Sequence, residues 1–172
     1  MDPVFERFRR SRDKQPADVY TAMRGQVLRL SPAEAGLGPT PELPRVWGLV
    51  MDTTFERGGY SFVALADGTT SLYTTTGGGT IGGGEHARVA AATRAALRVV
   101  ETHLDQLPPS TGDALPPVGS VVLRALTYDG QRAVQAPEND LGEGRHPQTE
   151  IFHAAHGAIA ELRMIQESRG AS

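Results

Sequence analysis

RVWGLVMDTTFERGGYSFVALADGTTSLYTTT, residues 45–76, is the stretch whose reading decides the fold. In RVWGLVMDTTF (45–55), Trp47, Leu49, Met51 and Phe55 alternate onto one side, with Val46 and Val50 on the other, which is the period of a strand. Arg57-Gly58-Gly59 reads as a turn, and YSFVALA (60–66) as a second strand. Asp67-Gly68 predicts the positive φ pair of a primed hairpin turn. TTSLYTTT (69–76) then returns as a third strand, rich in β-favouring threonine. The expectation is an antiparallel meander.

Working outward, the next residues are TTTGGGTIGGGEH (74–86), two triple glycines around Thr80-Ile81. HARVAAATRAALRVVETHLDQL (86–107) follows as the clearest helical period in the chain. Val89, Ala92, Ala96, Val100, His103 and Leu107 share one side, and Ala90, Leu97 and Leu104 lie beside them. A helix apolar over so much of its girth needs cover on more than one side. A proline-rich connector, PPSTGDALPP (108–117), leads to strands SVVLRALTY (120–128) and QRAVQA (131–136), joined at Asp129-Gly130. PENDLGEGRHP (137–147) reads as a polar loop. A last helix starts at Pro147 and buries Ile151, Ala155, Ile159 (or Ala158), Leu162 and Ile165.

Before the meander, Pro16 opens a helix with Val19, Met23, Val27 and Leu30 as its stripe. Ser31-Pro32-Ala33-Glu34 has capping-box form, and the glycines and prolines of 36–44 make a stiff linker. The reading is therefore an α+β domain over residues 16–167, with a five-stranded, mainly antiparallel sheet in the order α-β-β-β-α-β-β-α and helices packed on it. Residues 1–15 are expected as a flexible basic arm and 168–172 as a frayed tail. Three helices leave part of a two-sided sheet uncovered, so a second copy or a partner is expected there.

Composition narrows the function. There is no cysteine, which removes disulfides, thiolate zinc sites and thiol nucleophiles. Of 17 basic residues only Lys14 is a lysine, so no Schiff-base or phosphate-gripping lysine lies within the domain. A net charge of −3 argues against general nucleic-acid binding. No run approaches the roughly 18 apolar residues of a membrane span. MDPVFERFRRSRDK lacks the apolar core of a signal peptide, and a cytoplasmic protein is expected.

Two patterns carry possible chemistry. Gly77, Gly79 and Gly82 match GxGxxG, but the strand before them belongs to a meander, and the acid some 20 residues on, Glu101, falls inside a helix. No Gly-Lys-Ser/Thr makes a P-loop. A ligand or anion contact at Gly77, Gly79, Gly82, Gly84 and His86 stands beside the plainer reading of a close-packed turn. His146, Glu150, His153 and His156 would share one face of the last helix and form a metal set if other helices supplied ligands. The plainer reading is an exposed polar face. Nucleophilic catalysis has no anchor: there is no GxSxG, and Ser61, Ser71 and Ser120 read as strand residues. Asp52, Asp140 and Glu143 have no fixed separation as an acid pair, and Glu138, Asp140 and Glu143 lack calcium-loop spacing.

The order helix–three strands–helix–two strands–helix over residues 17–166 resembles the type III secretion chaperone-like fold. SLYTTTGGGTIGGGEH with DLGEGRHP is also similar to small bacterial proteins of no assigned function. The chaperone resemblance implies a homodimer built on the middle helix, with the sheet and first helix holding an extended stretch of client protein. HARVAAATRAALRVVETHL suits that role, with Val89, Ala90, Leu97, Val100 and Leu104 as interface. It carries no residue motif and transfers no site. The expected function is thus a non-enzymatic, dimeric protein-binding module (chaperone, adaptor or immunity-type) without a cofactor. The alternative is a small-ligand, anion or metal-binding protein using the Gly77–Gly84 loop or the His146–His156 face.

Overall fold

The meander forms as its alternation predicts. The computed structural model describes residues 15–171. It places β1 (Val46–Phe55), β2 (Gly58–Leu65) and β3 (Thr70–Thr74) side by side and antiparallel. β5 (Ser120–Thr127) pairs with the far side of β1, and β6 (Gly130–Pro137) with β5. A two-residue β4 (Gly79–Thr80) rises from the glycine stretch and pairs with β3, so the sheet has six strands in the order β4-β3-β2-β1-β5-β6, not five. A strand of two residues carries no alternation to read.

Among the described residues four α-helices surround the sheet: α1 (Pro16–Arg29), α2 (Ala87–His103), α3 (Glu138–Gly142) and α4 (Thr149–Gly170). α3 lies in what reads as a polar loop, and its one buried side chain is Leu141. α4 starts after Pro147 and continues through Ser168–Gly170, where a frayed tail is expected. The arm over residues 1–15 falls, but for Gln15, outside the described residues.

Both sheet faces are covered, and by different layers. Leu49, Met51, Phe62, Leu72, Leu123 and Ala125 pack against α2 and α4 in the larger core. Trp47, Val50, Val63, Leu65 and Leu126 meet Tyr20, Met23 and Val27 of α1 on the opposite face. Fully burying each such large side chain is worth about 1.5–3 kcal/mol.

A bulge where β1 meets β5, between Val46 and Gly48, breaks the simple alternation. It sends Val46 to the α2 side with Leu49 and Met51, and Trp47 to the α1 side with Val50. Strict alternation predicts the reverse for both, because one inserted residue inverts everything before it. Phe55, expected with the core, is 45% exposed at the strand end.

The turn at Asp67-Gly68 also differs in detail. Among the described residues no non-glycine residue has positive φ, so a primed pair is not formed. Leu65 and Thr69 flank a three-residue loop in which Gly68 alone takes φ +93°, while Asp67 Oδ1 accepts from Thr69 N at 2.9 Å. The capping box at Ser31–Glu34 forms with both reciprocal bonds, at 2.9 and 3.2 Å. Glu101 of α2 fixes the entry to β1, its carboxylate accepting from the backbone N–H groups of Arg45 and Val46 and from Arg45 Nε.

Candidate functional site

Beneath α1 the sheet is not uniformly apolar. Asp52 of β1 and Ser61 of β2 are cross-strand partners, and both are fully buried. Ser61 Oγ donates to Asp52 Oδ1 at 2.5 Å, and the Tyr20 hydroxyl meets Ser61 Oγ at 2.7 Å. Arg24, one helical turn along α1 from Tyr20, grips both Asp52 oxygens, Nε to Oδ1 at 3.1 Å and Nη2 to Oδ2 at 2.8 Å. Arg24 Nη2 also donates to the carbonyl of Asp113 in the connector, tying α1, the sheet and residues 108–117 together.

Burial opposes charge on Arg24, but the paired Asp52 outweighs it and holds the guanidinium above its ordinary range. Burial pushes the Tyr20 hydroxyl upward as well, so it stays protonated and bonded. Sequence reasoning passed over this network. Its signal was two opposite charges at core-facing positions: Arg24 on the stripe of Tyr20, Met23 and Val27, and Asp52 on the side of Val50.

Beside the network, the first turn of α1 and the glycine loop enclose a cleft of about 360 Å³. Pro16, Val19, Met23, Tyr73, Gly77 and Ile81 supply much of its wall, and Tyr20 links it to the polar network. That volume suits a small ligand. Gly77 brings the loop against the helix: a Cβ there would lie 2.6 Å from Pro16 Cβ, and its φ is +95°. The second glycine triplet serves a different purpose. A Cβ on Gly83 would strike Leu162 of α4, and one on Gly84 the carbonyl of Gly68. At Gly77, Gly83 and Gly84 glycine is a matter of space, since the chain threads between α1, the β2–β3 turn and α4, whereas Gly82 is open and takes φ +77°.

Two of the loop's backbone N–H groups are already taken within the loop. Thr74 takes up the N–H groups of Gly77, through its carbonyl at 3.2 Å, and Gly78, through Oγ1 at 2.9 Å. The strand before it is antiparallel to its neighbour, so the parallel βαβ unit of a dinucleotide site is missing from this part of the chain. Gly77 and Gly79 line the cleft, whereas Gly82, Gly84 and His86 do not; Arg169 Nη2 donates to His86 Nε2 at 3.2 Å.

The histidine set is not brought together. α4 begins at Thr149, so His146 lies before the helix, where its Nδ1 accepts from Gln148 N. Glu150 faces His103 at 3.4 Å, and His153 Nε2 donates to the carbonyl of Gly142 at 3.2 Å. His156 packs against Phe152 with the rings tilted and their centroids 4.4 Å apart, and reaches the Tyr60 hydroxyl at 3.4 Å. Burial first, then Arg163 and His153, holds the His156 pKa below its usual value. Among the described residues no group of three or more His, Cys, Asp or Glu could hold a metal ion.

The residues expected as the α2 interface are packed inside the single chain. Val89, Ala90, Leu97, Val100 and Leu104 are each 0–6% exposed within the single chain. The sheet covers one apolar side of α2 and α4 the other, which answers the helix's need for cover without a second copy.

No protein-family model, curated protein or solved structure matches the chain. No helix among the described residues is long and apolar enough to cross a membrane.

Proposed function

We propose that this protein is a non-enzymatic binding protein whose site is the cleft between α1 and the glycine loop, and that its ligand is a small molecule with an apolar body. The observation that carries this reading is the cleft itself, about 360 Å³, walled by apolar side chains and glycine backbone. Tyr20 and Tyr73, 5% and 3% exposed, give it an aromatic floor. Its walls are held by the Arg24–Asp52 pair behind α1 and by the Thr74 bonds within the loop, so it is pre-formed. A neutral fluorescent probe such as N-phenyl-1-naphthylamine should brighten on binding. Val19→Trp, which fills the cleft from its rim, should abolish the brightening without lowering the melting temperature. Equal brightening in both proteins would overturn the reading.

A protein partner is the second reading, as a chaperone, adaptor or immunity-type module or as a homodimer. It draws on another surface than α2: Phe55 and Val118, 45% and 59% exposed, lie at the same end of the sheet, where Gly119 N donates to Thr54 O. Light scattering at micromolar concentration checks self-association, and a strict monomer removes the dimer.

A further inference from the structure

Arg124 is held differently from Arg24. It lies on β5 opposite Val50, on the α1 side of the sheet, and is 2% exposed. All three of its hydrogen bonds leave from one nitrogen: Nη1 donates to Gly112 O at 2.6 Å, Ser110 Oγ at 3.4 Å and Gln131 Oε1 at 3.5 Å. Nε is buried with no hydrogen-bond partner. None of the ion pairs among the described residues includes Arg124.

The nearby buried carboxylate, Asp52, is already gripped through both oxygens by Arg24. Among the buried side chains, Arg24, Arg124 and Asp52 leave one positive charge in excess, and the exposed Asp113 of the connector attracts both arginines. Burial works against that charge, and Arg24 adds repulsion; attraction to Asp52 and Asp113 only partly offsets them. An arginine does not shed its proton to relieve such a cost, so the remedy is a counter-anion.

Space for one exists. A second cleft of about 250 Å³, apart from the one beside the glycine loop, lies between the 108–117 connector and strands β5 and β6. Arg124 lines it, with Ser110 and Gln135 as polar neighbours and Ala114, Val122 and Ala133 as an apolar wall. The guanidinium edge formed by Nε and Nη2 matches the two oxygens of a carboxylate. The apolar wall fits a short alkyl tail.

We propose that this cleft is a binding site for a short-chain carboxylate, anchored on the Nε–Nη2 edge of Arg124. Asp113, exposed on the connector, supplies a rim charge that weakens the site. The test is a titration of the full chain with butyrate, followed at the arginine Nε–Hε signals by nitrogen-15 NMR. The Arg124 signal, assigned through its side-chain correlations to the backbone of the natural protein, should move saturably with butyrate and stay still with butyramide, which has the same shape and no charge. Arg124→Lys keeps the charge but loses the fork, and should bind roughly tenfold more weakly. Asp113→Asn should bind more tightly. An Arg124 signal unmoved by butyrate, or moved equally by butyramide, overturns the proposal, and because both are read on the unaltered protein they do not depend on any variant folding.

Discussion

At the residue scale, the Arg24–Asp52 pair dominates. Asp52 is fully buried and Arg24 nearly so, and removing one partner of such a pair strands the other's charge. Asp52→Asn should therefore cost about 3–5 kcal/mol in urea unfolding. Replacing both together, Arg24→Met with Asp52→Leu, should recover most of that loss, because the desolvation penalty of two charges disappears with them. A full loss in the double variant would mean that Ser61 and Tyr20, rather than the ion pair, hold α1 in place. The glycines offer a second contrast. Gly84→Ala drives a Cβ onto the Gly68 carbonyl and should cost about 1–3 kcal/mol, whereas Gly112→Ala meets nothing within 4 Å and should be close to neutral. Equal costs at the two positions would refute the close-packing account of the loop.

At the scale of elements, α2 and α1 differ in how they are held. α2 is sandwiched between the sheet and α4, and Leu97 within it is fully buried. Leu97→Ala should cost about 2–5 kcal/mol and leave the number of subunits unchanged by light scattering. A change of subunit number would restore α2 as an interface. α1 rests on the sheet through Tyr20, Met23, Arg24 and Val27, and among the described residues no second helix joins its core cluster. Amide exchange should accordingly be faster in α1 than in β1, since local opening of α1 leaves the α2–α4 core intact. Equal protection would mean that the two layers unfold as one unit. The edges are managed as well: β6 ends at Pro137, and Pro109 of the connector bridges to Arg132 along its outer side.

For the whole molecule, the contact between α4 and β2 makes stability depend on pH. His156 packs on Phe152 and beside Tyr60, with Arg163 and His153 as its charged and titratable neighbours. Its folded pKa lies below the ordinary 6.5, so the unfolded chain binds the proton more readily. The stabilisation is full above pH 6.5 and is lost as pH falls through the lower folded value. Urea midpoints measured above and below 6.5 should fall on the acid side in the natural protein, and fall less in His156→Phe. An identical fall in both would assign the acid sensitivity to other groups.

The local periods in the chain determined the meander, the long middle helix, the second hairpin and the stripe of the last helix, because alternation and helical spacing are properties of neighbouring residues. Val46 and Trp47 were misplaced by one residue for the same reason: a bulge is a property of strand pairing, which β5 decides. β4 and α3 are too short to carry a period, and each exists because a neighbour, β3 or α4, supplies its partner surface. The site followed the same division. The Gly77–Gly79 stretch was visible as an oddity, yet only the approach of Pro16 makes it one wall of a cleft. Arg24, Asp52 and Arg124 were visible as charges, but whether a buried charge is paired or left seeking an anion depends on residues 28 to 72 positions away (52 − 24 and 124 − 52). Sequence spacing governs which side of an element a residue takes, and the tertiary structure alone decides what it meets there.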